Sequence, residues 1–147
     1  MNIQLLTREM LEEASDLFNE YRKFYGQSSD KTGAKAFLSE RFERGESIVW
    51  LAYINGQAAG FVQMYPFFSS VAMKRVYVLN DLFVMPEFRQ QGVAQTLMET
   101  CYTYSQQQQA RQIRLETAND NDSAQHLYEK MGMKVEQGVK HYIKNWE

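Results

Sequence analysis

The sequence predicts a single-domain α/β fold with a mixed central sheet, in the order β-α-α-β-β-β-α-β-α-β-β. Three observations carry this. Helical and strand periodicities alternate along the chain instead of separating into halves. Residues 76–117 read as strand, helix, strand, a crossover unit that should be right-handed with its two strands parallel. Asn55-Gly56 between two apolar runs signals a tight hairpin, so the strands around it should be antiparallel. At 147 residues, with 44% hydrophobic and 14% aromatic content, the chain has the size and core of one domain, 1–147.

Each element has its own signal. Residues 3–6 are a short first strand. Thr7 can cap a helix whose apolar positions, Met10, Ala14, Leu17, Phe18 and Tyr21, recur at helical spacing. Gly26 and Q-S-S break it, and Asp30 is a second cap, before Ala34, Phe37, Leu38 and Phe42. Gly45 ends that helix. I-V-W-L-A-Y-I at 48–54 and its hairpin partner at 58–65 are strands, with a bend expected at Pro66 and Ser69-Ser70. Residues 76–84 form the next strand. A helix over about 92–105 buries Val93, Leu97, Met98 and Cys101, which makes Cys101 a core residue. Residues 112–117 alternate as a strand, with Ile113 and Leu115 on one side. Asn121 or Asp122 caps a last helix with Ala124, Leu127, Tyr128 and Met131 on one face, stopped by Gly132. Residues 133–136 and 141–143 read as a closing strand pair joined through Gly138.

Composition narrows the functions. Net charge of −2 gives no field that would gather nucleic acid or an anionic membrane, so neither is expected as a partner. No apolar run approaches the ~20 residues of a membrane span. The start, M-N-I-Q-L-L-T-R-E-M, lacks the basic end and long apolar stretch of a signal peptide. One cysteine forbids an internal disulfide and agrees with a reducing compartment; a cytoplasmic location is expected. The two histidines, His126 and His141, form no metal-ligand pattern with Cys101, so no metal is expected. The Gln106–Gln109 patch reads as an exposed helix end.

The densest signal is 79–98, L-N-D-L-F-V-M-P-E-F-R-Q-Q-G-V-A-Q-T-L-M. A strand ends at Pro86, a short glycine-containing turn follows, and a helix begins at once. Such an order aims unpaired backbone N–H groups and the positive helix end at one point, which suits a pyrophosphate. The N–H groups of Arg89, Gln91, Gly92, Val93 and Ala94 can surround it, and the side chain of Arg89 or Gln90 could add a charge-assisted contact. Gly92, without a Cβ, admits close approach of the main chain. A plain loop and helix start is the ligand-free alternative.

R-Q-Q-G-V-A resembles the (R/Q)-x-x-G-x-(G/A) signature of the GNAT superfamily, the acyl-CoA-dependent N-acetyltransferases. Asn119 followed by A-Q-H-L-Y-E-K-M-G-M-K-V at 124–135 resembles the second characteristic segment of that superfamily. Two blocks in the right order are far more specific than either alone, and the resemblance covers nearly the whole chain, most strongly 79–135. It implies a GNAT-type fold with helices on both faces of the sheet, and acetyl-CoA as cosubstrate. It also implies that the 76–84 and 112–117 strands splay apart, so that backbone groups near Leu82, Phe83 and Val84 meet the pantetheine arm as an added strand would. Asn119 resembles the residue that touches that arm; as a turn residue in A-N-D-N-D it needs no ligand.

Acetyl transfer to an amine of pKa near ~10 requires a base or water relay, and a proton for the departing thiolate. Tyr128 sits where resembling families place the proton donor to sulfur; the alternative is a core tyrosine. The backbone N–H of Phe83 or Val84 is the implied partner of the acyl carbonyl oxygen. The polyamine acetyltransferases that L-N-D-L-F-V-M-P resembles carry Glu before the Asp, where this chain has Asn80, and an amide accepts no proton. Asp81, re-aimed by a β-bulge, Glu116, or a water chain remain as bases. Aromatics of the early helices and of 61–77, Tyr25, Tyr65 and Tyr77 among them, could line the acceptor pocket, or serve as core and dimer face. The expected reaction is direct transfer of an acetyl group to a primary amine of a small molecule by this acyltransferase, possible as a homodimer. A protein or peptide N-acetyltransferase and a non-catalytic acyl-CoA-binding module are the alternatives.

Overall fold

The computed structural model describes residues 1–146. Five strands form one sheet in the order β1-β2-β3-β4-β5. They are β1 (Asn2–Leu5), β2 (Ile48–Ile54), β3 (Gln57–Ser69), β4 (Lys74–Val84) and β5 (Gln112–Arg114). The helices are α1 (Leu11–Phe24), α2 (Lys31–Glu43), α3 (Val93–Gln107) and α4 (Asp122–Lys130). All pairings are antiparallel except β4 with β5, which is parallel across the α3 crossover. The sheet is therefore mixed, as expected.

Local signals worked where the backbone itself carries them. Asp30 caps α2, accepting from the N–H of Gly33 at 2.9 Å, and Asn121 caps α4, accepting from the N–H of Ala124 at 3.3 Å. Asn55 and Gly56 both have positive φ, 50° and 77°, which matches the twist of the β2–β3 hairpin. Thr7 makes no side-chain cap; a single 3-10 turn at Arg8–Met10 leads into α1 instead.

Alternation along the strands sorts the sheet into two faces. On one, Val49, Leu51, Phe61 and Phe83 join Ala14, Leu17 and Phe18 of α1 and Ala34 and Leu38 of α2 in one buried cluster. On the other, Trp50 and Tyr77 both pack on Tyr104 of α3, with ring centroids 5.1 and 5.6 Å apart. Val93, Leu97, Met98 and Cys101 of α3 are all buried. Helices thus cover both faces, and each fully buried apolar side chain contributes roughly 1.5–3 kcal/mol.

Three expectations need correction. β3 runs through Pro66 to Ser69, and the chain turns at 70–73, so the expected bend falls at Ser69-Ser70 and not at Pro66. β2 reaches only as far as the Ile48–Met64 pair, so β3 is an edge on that side at Pro66, where a missing N–H is tolerated. β5 stops at Arg114 rather than 117, because β4 offers partners only from Val76 to Val78. The closing strand pair is absent: residues 133–146 carry no strand, and their apolar side chains, Val135, Val139, Tyr142, Ile143 and Trp146, are exposed, so no sheet neighbour supplies the missing ladder.

The chain divides into compact units Met1–Glu116 and Thr117–Glu147. The first holds the sheet, α1, α2 and α3. The second holds α4, whose residues are at most partly buried. Among the described residues, no helix is long and apolar enough to cross a membrane.

Candidate active site

The site begins where β4 loses its neighbour. β5 pairs with β4 at Val76, Tyr77 and Val78 only. From Leu79 to Val84, β4 is paired on its β3 side alone, and its other side presents main-chain groups without a strand partner. Two residues past the last β4–β5 pair, the β3–β4 register slips. Gln63 faces Asp81 while Met64 faces Leu79, which leaves Asn80 unmatched. This is a β-bulge, and a bulge bends its strand and sharpens the twist at that point. Where β3 must lie close to β4, Gly60 makes room: a Cβ there would stand 2.6 Å from the Phe83 carbonyl oxygen.

The bulge decides where Asp81 points. Asn80 is exposed, and Asp81 is 6% exposed. Gln63 Nε2 donates to Asp81 Oδ2 at 2.8 Å, and Asn80 Nδ2 donates to both carboxylate oxygens at 3.2 Å. Asp81 thus shares the α1/α2 face with Phe61, Gln63 and Phe83. Tyr65 follows on the same face. Burial and then the nearby Asp81 charge push its phenol up to about 12. The other oxygen of Gln63, Oε1, is buried without a protein partner. Rotating the amide to satisfy it would set that oxygen against the carboxylate, so the observed orientation is the one Asp81 requires.

Around this cluster stands an aromatic wall from the end of α1. Tyr21 packs on Phe61, Phe83 and Tyr25 at 5.6, 5.8 and 5.1 Å. Phe24 lies 6.1 Å from Phe83 and is 60% exposed. Tyr25 belongs to this wall. Tyr77 does not: it is fully buried on the opposite face, and its hydroxyl accepts from Arg75 at 3.4 Å. Among the tyrosines expected to line an acceptor pocket, the structure therefore gathers Tyr25 and Tyr65 on one face of the sheet and removes Tyr77. Gln63 was missed by the sequence reading, although a lone glutamine inside A-A-G-F-V-Q-M-Y was a visible signal of a buried polar partner.

After β4 the chain turns through Pro86–Phe88 into α3. Gln90 has φ 62° and Gly92 φ 78°, and no side chain caps the helix. The first α3 hydrogen bond back to the turn is from Thr96 N–H to the Gly92 carbonyl at 3.0 Å. The N–H groups ahead of it are the orphan donors of a helix start, with the positive end of a fifteen-residue helix behind them. A Cβ on Gly92 would meet nothing within 4 Å, so the glycine answers the left-handed φ of 78° and its own flank is open. Arg89 does not contribute its side chain here. Its Nε donates to the Val84 carbonyl at 3.0 Å, and its guanidinium lies over the rings of Phe24 and Phe83 at 5.2 and 5.8 Å.

Glu116 is exposed and lies outside β5, at the end of the first unit. Asn119 and Tyr128 belong to the second unit. Asn119 is exposed, and its carbonyl accepts from Gln125 Nε2 at 3.0 Å; Tyr128 is half-buried on α4. Burial pushes the Cys101 thiol up to about 12. The folded protein should therefore resist iodoacetamide near pH ~8, where an ordinary thiol is substantially ionised, and label fully once denatured. Rapid labelling of the native protein would contradict this burial.

Comparison with known proteins gives the family of this fold. The model of the Acetyltransferase (GNAT) family matches residues 11–133. An uncharacterised N-acetyltransferase of Bacillus subtilis is 43% identical over 145 residues, covering 99% of this chain and 97% of that protein. The crystal structure of a probable acetyltransferase, 37% identical, superimposes with a TM-score of 0.96 over 100% of this chain and 99% of the other. An aminoglycoside N-acetyltransferase crystallised with CoA shares the fold, with a TM-score of 0.81 at 22% identity over 99% and 95% of the two chains.

Proposed function

Because this chain belongs to the GNAT family of acetyltransferases, we propose that it moves an acetyl group from acetyl-CoA directly to a primary amine of a small molecule. Acetyl-CoA-dependent N-acetyl transfer is the activity of the family. The acceptor class and the residue roles are our reading. The observation that carries it is the limit of β4–β5 pairing at Val78, beside an uncapped helix start at Gly92.

Acetyl-CoA fits what the chain offers. Its diphosphate would meet the N–H groups of Gln91, Gly92, Val93 and Ala94 at the uncapped start of α3. Its pantetheine amides would meet the strand-free side of β4 at Leu82, Phe83 and Val84, and Asn119. When bound it supplies an acyl group activated as a thioester. The remaining chemistry belongs to side chains. Asp81, of the two candidate carboxylates, is the one buried among oriented donors; we assign it the proton of the incoming ammonium. Tyr128 donates its hydroxyl proton to the departing thiolate sulfur. Tyr25, Phe24 and Tyr65 line the approach of the amine, their ring faces matching its positive charge. The hydrogen-bond partners of Asp81 are the amides of Gln63 and Asn80, not a second carboxylate, which favours a compact amine with one reacting ammonium.

The family match runs from 11 to 133, across residue 116, which supports reading 1–147 as a single N-acetyltransferase domain. One buried cysteine is consistent with a cytoplasmic setting. The test is thiol release from acetyl-CoA across a panel of amine metabolites and short peptides. Turnover with a metabolite amine is expected. Turnover with peptide N-termini or lysines alone would move the acceptor class to proteins, and CoA binding without turnover on any amine would overturn direct transfer.

Gly92 gives a sharper check of the diphosphate position. Gly92→Val puts a branched side chain into a left-handed conformation, costing about 1–2 kcal/mol, and fills the open flank of that residue. The KM for acetyl-CoA is expected to rise about tenfold or more, as 1.4 kcal/mol is tenfold in affinity, with the amine KM little changed. An unaltered acetyl-CoA KM would remove the turn from the proposed role.

A further inference from the structure

We propose that the acceptor amine carries a carboxylate at its far end, which the Arg89 guanidinium binds while Asp81 receives the ammonium. This rests on the acetyl-transfer reading above and narrows its substrate class.

The support begins with where Arg89 puts its charge. The residue belongs to the turn before α3, yet its side chain reaches the α1/α2 face of the sheet. There the guanidinium lies 5.2 Å from the ring centroid of Phe24 and 5.8 Å from that of Phe83. Phe83 shares this face with Asp81, two positions earlier on β4. Arg89 Nε donates to the Val84 carbonyl at 3.0 Å.

A guanidinium has five N–H donors. One is used here, and the four on Nη1 and Nη2 have no protein acceptor among the described residues. An exposed arginine is ordinarily a solvated charge on a wandering stem. This one is tied to the main chain at Nε and laid over two rings. The planar fork is therefore in place before any ligand arrives, and a fixed fork loses less freedom on binding. The group that matches two parallel N–H donors is a carboxylate.

The same face specifies the rest of the molecule. Asp81 is 6% exposed and accepts from the neutral amides of Gln63 and Asn80, so no cation of the described residues neutralises it. Val84 stands three positions after Asp81, roughly 10 Å along an extended strand. Opposite charges are thus mounted at the two ends of a strip the length of a small molecule. The Phe83 ring lies between them, and Phe24 and Tyr25 beside it are 60% and 56% exposed. An α-amino acid is too short, because its two charged groups share one carbon. A diamine has the wrong sign at the far end, where its second ammonium would meet the like charge of Arg89. An amine and a carboxylate joined by a flat or aliphatic body satisfy both ends and pack on the rings. All of these residues lie in the Met1–Glu116 unit.

Calorimetry on the full chain saturated with CoA tests this without requiring turnover. The probes are para-aminomethylbenzoate and its methyl ester, which share a ring and an ammonium and differ by one negative charge. The acid is expected to bind at least about tenfold more tightly, as a charge-assisted pair should. In Arg89→Gln, which keeps a polar side chain without the fork or the charge, the two affinities should come within about twofold. Equal affinities in the unmodified protein overturn the proposal, as do tighter binding of the ester and no binding of either probe. A preference for the acid that survives Arg89→Gln also overturns it. So does a loss of CoA affinity in that variant with the acid preference intact, which would return the side chain to the diphosphate. The acid–ester comparison on the unmodified protein stays decisive if the variant fails to fold. Thiol release from acetyl-CoA then separates the two levels. Acid-selective binding without turnover on any amine overturns direct transfer and leaves Arg89 in its role. Turnover of acid and ester with the same kcat/KM does the reverse.

Discussion

Asp81→Asn is expected to lower kcat at neutral pH by about a hundredfold or more, the usual contribution of a positioned base. Asparagine keeps the shape and can still accept from Gln63 Nε2, so the melting temperature and the KM for acetyl-CoA should hardly move. The pH profile separates a chemical role from a structural one. Without a base, turnover should depend on the fraction of amine already neutral. It should climb about tenfold per pH unit toward the amine pKa near ~10, shrinking the deficit against the unmodified enzyme. A variant that is equally slow at every pH would make Asp81 a structural group, and a variant within twofold of the unmodified rate at neutral pH would hand the proton to water.

Tyr128→Phe is the second large effect. The substitution removes one oxygen from a half-buried ring on α4 and keeps its volume, so the protein should fold as before. Without a proton for the leaving thiolate, kcat should fall by about a hundredfold while both KM values stay within a factor of a few. The useful comparison is a donor with a better leaving group than CoA. A more acidic thiol needs less protonation, so the variant should recover most of its rate on an activated aryl thioester. Equal losses on both donors would mean that the hydroxyl acts by holding the site together.

Much of the candidate site could be read from adjacent residues. The turn around Gly92 was legible because a helix start is built from consecutive backbone groups, and a glycine beside an uncapped start is visible in the order of letters. Asp30, Asn121 and the Asn55-Gly56 turn were legible for the same reason: each acts on main-chain groups within three residues of itself. The bulge at Asn80 was raised only as a way to re-aim Asp81. Whether it formed depended on β3, whose Gln63 lies 18 residues away in the chain. Tyr65 and Tyr77 illustrate the same limit. Both are tyrosines in strand-like segments, yet one shares a face with Asp81 and the other is fully buried against α3.

The sequence by itself determined the α/β class, the order of nearly all elements, the helix caps at Asp30 and Asn121 and the glycine turn before α3, because periodicity, capping and turn chemistry are short-range physics. Tertiary structure alone decided how far β5 runs beside β4, which face Asp81 and each tyrosine occupy, and that the last apolar segment of the chain forms no strand. Those outcomes turn on register and on competition for sheet edges. The free energy of pairing two strands belongs to both of them, and neither strand carries the address of the other.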